Sequence, residues 1–110
     1  MTVKDLIEKN QLEVIHTGDE NAEITMPYCC DLLSVAMGNA PEGCAWCTVM
    51  ANMNTLAVAS LADCACIILC CNTNADDNMK LKAVSQDITL LRTDKPIFDM
   101  ALAVYQQIHD

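Results

Sequence analysis

Positive charge is scarce in this chain. Its 110 residues hold six lysines and arginines against fifteen aspartates and glutamates, a formal net charge of −9. Affinity for a phosphate backbone rests on clustered Lys and Arg. Here Lys4, Lys9, Lys80, Lys82, Arg92 and Lys95 form no dense block, so neither nucleic acid nor an anionic membrane surface is an expected partner. Long apolar runs are missing as well. The longest, "CACIILCC" from Cys64, falls well short of the ~18 residues of a membrane helix. The opening "MTVKDLIEKN" is amphipathic and lacks the apolar core of a signal peptide, so the expected compartment is the cytoplasm. With three glycines, and neither a Walker motif nor G-x-G-x-x-G, no glycine loop is available to cradle a phosphate. Only two histidines occur, His16 and His109, one near each end, and no motif sets either beside a nucleophile. The chain therefore reads as a non-enzyme with no catalytic residues.

What the chain does have is apolar content and cysteine. Apolar residues make up 53% of it, enough for one core, and its length suits a single domain over residues 1–110. Eight cysteines fall at 29/30, 44/47, 64/66 and 70/71. The simplest use for them is as reduced thiols filling a core in a reducing cytosol, and such heavy use hints at an anaerobic source. Cys44-x-x-Cys47 lies in "CAWCTVM", which reads as a strand, so the two sulfurs diverge where zinc or redox use needs them together. Cys64 and Cys66 are expected to share a face. Adjacent cysteines such as Cys70 and Cys71 are expected to point apart along the strand. An iron–sulfur cluster needs four converging thiolates, and no second C-x-x-C is present. No metal or cofactor is expected. A cysteine-based metal, iron–sulfur or thiol-redox protein stands as the alternative.

The pattern of elements alternates. Thr2 caps a helix "VKDLIEKN", and a strand "LEVIHTG" follows, closed by Gly18. "AEITMPY" is a shorter extended piece whose Pro27 argues against a central position. Asp31 is expected to cap a short helix, "LLSVAM", ended by Gly38-Asn39. Then come strand "CAWCTVM", helix "NTLAVASLAD" from near Asn54, strand "CACIILC", helix "ADDNMKLKAVSQ" and strand "DITLLR". The final helix, "TDKPIFDMALAVYQQIHD", has Thr93 or Asp94 as its expected cap and Pro96 in its first turn. Strand–helix repetition from residue 45 onward is the mark of parallel βαβ units, and the wholly apolar strand fits a sheet covered on both faces. The fold class is therefore α/β: a three-layer domain with a mostly parallel sheet built from consecutive βαβ units.

Residues 56–62, "LAVASLA", are apolar on almost every side, so that helix must be covered beyond its sheet-facing side. An N-terminal segment or a second copy could do this. The last helix poses the same question, since Met100 and Ala103 lie off an Ile97, Ala101, Tyr105, Ile108 stripe. A homodimer is expected.

In open α/β sheets ligands bind beyond the carboxyl ends of the strands. Those ends supply the candidate ligand-binding residues: Asn52 and Asn54 after one strand, Asn72, Thr73 and Asn74 after the next, Arg92 and Thr93 after the last. Each segment leads into a helix N-terminus, where free N–H groups favour anions. Helix capping by the same Asn and Thr side chains is the competing reading.

With this order of elements, "VKDLIEKNQLEVIHTG", "CCDLLSVAMGNAPEGCAWCTV", "LAVASLADCACIILCCN" and "ITLLRTDKPIFDMALAVY" together resemble the DRTGG domain family over roughly residues 2–109. "DLLSVAMGNAPEGCAW" most resembles its stand-alone clostridial-type members. The resemblance implies a regulatory or associative α/β domain without catalytic activity of its own. Relatives are fused to regulatory CBS-domain pyrophosphatases and to phosphotransacetylases. Stand-alone ones accompany iron hydrogenase and serine-kinase-like signalling genes in anaerobes, which implies a small-molecule ligand or a partner protein of such a system. The chain departs from the motif itself. The Asp-Arg-Thr part falls at Asn52-Met53-Asn54 and the Thr-Gly-Gly part at Cys70-Cys71-Asn72, so the motif's arginine and both glycines are replaced.

Overall fold

The computed structural model describes residues 1–110. Helix α1 (Val3–Asn10) leads to β1 (Glu13–His16), β2 (Pro27–Cys29) and α2 (Leu33–Asn39). Then follow β3 (Ala45–Thr48), α3 (Met53–Ala62), β4 (Cys66–Leu69), α4 (Asp77–Gln86), β5 (Leu90–Arg92) and α5 (Ile97–Ile108). The strands form one sheet in the order β1-β5-β4-β3-β2, parallel except for the antiparallel β1–β5 pair. Pro27 opens β2, which is an edge strand, as a residue without an N–H requires.

Side-chain alternation along the central strands divides the interior into two cores. Cys47, Cys66, Ile68, Cys70 and Leu91 face α1 and α5, meeting Val3, Leu6, Met100 and Val104. Trp46, Ile67, Leu69 and Leu90 face the other way, toward Ala36 of α2, Leu56 and Ala59 of α3, and Met79 and Ala83 of α4. Strands β3 and β4 are buried at every position, which is why β4 reads as an uninterrupted apolar run and β3 carries only Thr48 as a polar side chain. Trp46 is fully buried yet satisfied, its indole N–H donating to the Cys30 carbonyl at 3.0 Å.

Three local expectations change. Asp31 does not cap α2, which starts without a side-chain cap. Its Oδ1 instead accepts the hydroxyl of buried Thr48 at 2.7 Å and the Val49 N–H at 3.0 Å, tying the β2–α2 loop to the end of β3. Neither Thr93 nor Asp94 caps α5, because Pro96 occupies the N-cap position. The buried stripe of α5 is Met100, Ala101 and Val104, leaving Tyr105 53% exposed. Helix α3 lies between α2 and α4, so an N-terminal segment of the same chain supplies part of its cover. Its outer side keeps Leu61 78% and Met53 48% exposed.

Candidate ligand site at the strand carboxyl ends

Beyond β4 the chain makes a tight turn at Cys70-Cys71-Asn72-Thr73. The Thr73 N–H donates to the Cys70 carbonyl at 3.1 Å, and the two central residues have φ of +56° and +59°. Positive φ at both central positions with that bond describes a type I′ turn. Glycine takes this conformation freely, Asn tolerates it, and a cysteine there costs on the order of 1 kcal/mol. Cys71 and Asn72 are the two positions where the resembled motif carries its glycines. Cys71 is exposed in this turn, so it fills no core and lies outside the strand's alternation.

The turn is held from β5. The Cys71 and Asn72 N–H groups donate to the Lys95 and Thr93 carbonyls, both at 2.9 Å. Arg92, the only arginine, spans the gap. Its Nε donates to the Thr73 carbonyl at 3.0 Å, Nη2 to the Asn72 carbonyl at 2.9 Å, and Nη1 to the Glu13 carboxylate at 3.2 Å. The planar fork of a guanidinium can serve three acceptors at once. Arg92 is thus a clamp that fixes the β4–α4 turn against β1.

Around this clamp opens a pocket of about 570 Å³, lined by Lys9, Asn10, Gln11, Glu13, Asn72, Arg92, Thr93, Asp94 and Lys95, with no apolar residue among them. Antiparallel pairing of β1 with β5 brings the end of α1 here, after a reversal through left-handed Gln11 (φ +52°). The Asn10 and Gln107 amides exchange two hydrogen bonds, at 2.9 and 2.8 Å, and secure that end of α1 to α5. Three of the chain's six cations therefore meet at one pocket in a protein of net charge −9. Arg92 is occupied by the clamp, while Lys9 and Lys95 make no ion pair.

Of the residues named from sequence, Asn72, Arg92 and Thr93 line this pocket. Thr73 lends its carbonyl to the clamp, and Asn74 is exposed just beyond. Asn52 and Asn54 are not among the lining residues. The Asn52 side chain caps α3, accepting the Asn54 and Thr55 N–H groups at 2.9 and 3.3 Å. Asn54 stands exposed beside it. Lys9, Asn10, Gln11 and Lys95 were not anticipated. The scarcity of cations was the signal that could have found them, once β1 was paired with β5.

A second cavity, of about 580 Å³, lies at the opposite end of the sheet. Asp19, Glu23, Glu42, Asp63 and Asp87 line it, a setting that repels an anion.

The cysteines divide between the two faces. Cys44 belongs to the α2–α4 core and Cys47 to the α1/α5 core, so the C-x-x-C sulfurs do diverge. Cys64 and Cys66 do not share a face. β4 begins only at Cys66, after left-handed Asp63 (φ +57°), and Cys64 packs with the α2–α4 core instead. No group of three or more His, Cys, Asp or Glu side chains is arranged to hold a metal ion. Cys29 pairs in register with Cys47, whose thiol hydrogen bond holds the Cys29 pKa down to about 7. Burial pushes the Cys66 thiol up to about 12.

No family model matches the chain, and no curated protein matches it. Among solved structures it is similar to the CBS and DRTGG domains of the regulatory region of Clostridium perfringens pyrophosphatase, complexed with the activator diadenosine tetraphosphate. The TM-score is 0.78 at 11% sequence identity, covering 96% of this chain and 46% of that one. At that identity the likeness shows the fold alone, and in this chain that fold is an α/β domain with a five-stranded, mostly parallel sheet. The chain spans about half the length of that structure. None of its helices is long and apolar enough to cross a membrane.

Proposed function

We propose that this protein is a non-catalytic regulatory domain that senses a small anionic ligand in the Lys9–Arg92–Lys95 pocket. One observation carries the reading: half the cations of a strongly acidic chain meet in a wholly polar pocket at the strand carboxyl ends. Arg92 shapes the wall and Lys9 and Lys95 supply unpaired charge. Asn72 and Thr93 add hydrogen-bonding side chains. The neighbour is a regulatory region whose activator is a dinucleoside polyphosphate. That supports a phosphate-bearing ligand and a regulatory role here. Calorimetric titration with diadenosine tetraphosphate tests it. Binding should weaken at least tenfold in K9A/K95A and fall with added salt. Equal affinity in the double variant would defeat the reading.

The domain works as a homodimer. Large apolar residues of the α2–α4 layer remain exposed, namely Leu32, Met37, Leu61, Leu81 and Val84, each at 57% or more. Such a patch favours a partner surface. Light scattering at micromolar concentration should give twice the chain mass, and a monomer would refute this. The family resemblance supports a cytoplasmic setting in an anaerobe, with a hydrogenase or kinase-type signalling protein as the partner. Co-purification from such a cell tests that assignment.

A further inference from the structure

The entries to β3 and β4 carry two cysteines that the anion pocket does not use. Cys44 Sγ and Cys64 Sγ stand 3.4 Å apart, although the residues are twenty positions apart in sequence. Backbone bonds hold their segments together: the Ala65 N–H donates to the Cys44 carbonyl at 2.9 Å, and the Gly43 N–H to the Asp63 carbonyl at 2.8 Å. Cys44 is fully buried, whereas Cys64 is partly exposed and lines the 580 Å³ acidic cavity. Cys47, Cys66 and Cys70 lie across the sheet in the α1/α5 core, whereas the partly exposed Cys30 packs on the same side as the pair, and its thiol hydrogen-bonds the Leu32 carbonyl at 3.3 Å.

We infer that Cys64 and Cys44 form a peroxide-oxidisable dithiol, with Cys64 the attacking sulfur and Cys44 the resolving one. Cys64 attacks one oxygen of a peroxide and the O–O bond breaks. The second oxygen leaves with the Cys64 proton as water or an alcohol, and Cys64 becomes a sulfenic acid. The Cys44 sulfur then attacks Cys64, the S–O bond breaks, and hydroxide leaves with the Cys44 proton as a second water. Two thiols lose two electrons, and the peroxide gains them.

The asymmetry of the pair sets this order. The Cys44 thiol donates its hydrogen to Cys64, which lowers the Cys64 pKa, while the same bond and burial raise that of Cys44. Closing from 3.4 Å to the roughly 2.05 Å of a disulfide needs a small shift, and the partly exposed Cys64 segment can supply it. Cavity charge selects the oxidant. Asp19, Glu23, Glu42, Asp63 and Asp87 disfavour an anionic disulfide such as oxidised glutathione, and leave a neutral peroxide unhindered.

The test treats reduced protein with one equivalent of hydrogen peroxide, followed by alkylation of remaining thiols under denaturing conditions and peptide mass mapping. A Cys44–Cys64 cross-link should dominate, form faster than with oxidised glutathione, and raise Tm by on the order of 10 °C. C44S should trap a sulfenic acid on Cys64 that dimedone labels, and C64S should give no cross-link. Because Cys44 is buried, C29S/C71S, which removes only the two exposed thiols, is the second variant and should still form the bond. Cys44 and Cys64 recovered as free thiols in that variant and in the unsubstituted chain, with oxidation confined elsewhere, would overturn the inference.

Discussion

Replacing Arg92 tests how the pocket is built. Its side chain is 18% exposed and makes two bonds to carbonyls and one to Glu13, itself 60% exposed. A charged donor bonded to a carbonyl contributes about 1.5 kcal/mol or more when buried. At this partly wet site, where water can replace the donor, about 1 kcal/mol for each carbonyl is the reasonable figure. The exposed pair with Glu13 adds about 0.5 kcal/mol. Arg92→Met should therefore destabilise by about 2.5 kcal/mol, a fall in Tm of roughly 10 °C for a chain this size. Arg92→Lys keeps the charge but replaces the planar fork with a compact ammonium that cannot span three separated acceptors, so it should recover about half of that loss. Glu13→Gln should cost only about 0.5 kcal/mol. Urea unfolding followed by circular dichroism gives the three values, and hydrogen exchange should show faster loss of protection at Asn72 and Thr73 in Arg92→Met. If Arg92→Lys matched the unsubstituted protein, or Arg92→Met cost under 0.5 kcal/mol, the clamp would not be what holds this turn.

Two further outcomes follow from other residues. Cys71→Gly removes a side chain held at φ +56°, and should stabilise by about 0.5 kcal/mol after the entropy glycine gains in the unfolded chain, whereas Cys71→Val should destabilise by 1 kcal/mol or more (roughly); equal midpoints in urea would contradict the left-handed assignment. Alkylation of Cys29 by iodoacetamide should be half-maximal near pH 7, where the Cys47 hydrogen bond has brought its pKa down from 9.0, and Cys47→Ala should move that midpoint back toward 9.0. Because the folded pKa is the lower one, this group's contribution to stability is present above pH 9 and declines as pH falls toward 7.

Much of this architecture is readable from local pattern. Apolar strands flanked by capped helices specify the βαβ order, and Pro27 marks an edge strand before any pairing is known. Asn52 caps α3, which was only the competing reading of a candidate ligand residue, and Asp76, read as part of the helix, caps α4. What failed depended on distant partners. Asp31 looked like a helix cap because Thr48, seventeen residues on, is invisible as its acceptor's partner until β2 and β3 lie side by side. Cys64 was assigned to the strand because only the left-handed turn at Asp63 shows that the strand has not yet begun. Of the nine residues lining the pocket, three were named from sequence. Asn72, Arg92 and Thr93 lie at strand ends that topology predicts, but Lys9 reaches them only through the antiparallel β1, whose partner no local signal identifies.

The central claim is that this polar pocket takes an anion. Titrating the isotopically labelled protein with inorganic pyrophosphate, and following backbone amide shifts by NMR, tests it most directly. The account predicts saturable shifts at Asn72–Thr73, Thr93–Lys95 and Lys9–Gln11, all lost in K9A/K95A. Shifts absent from these segments at millimolar pyrophosphate, or unchanged in the double variant, would contradict it.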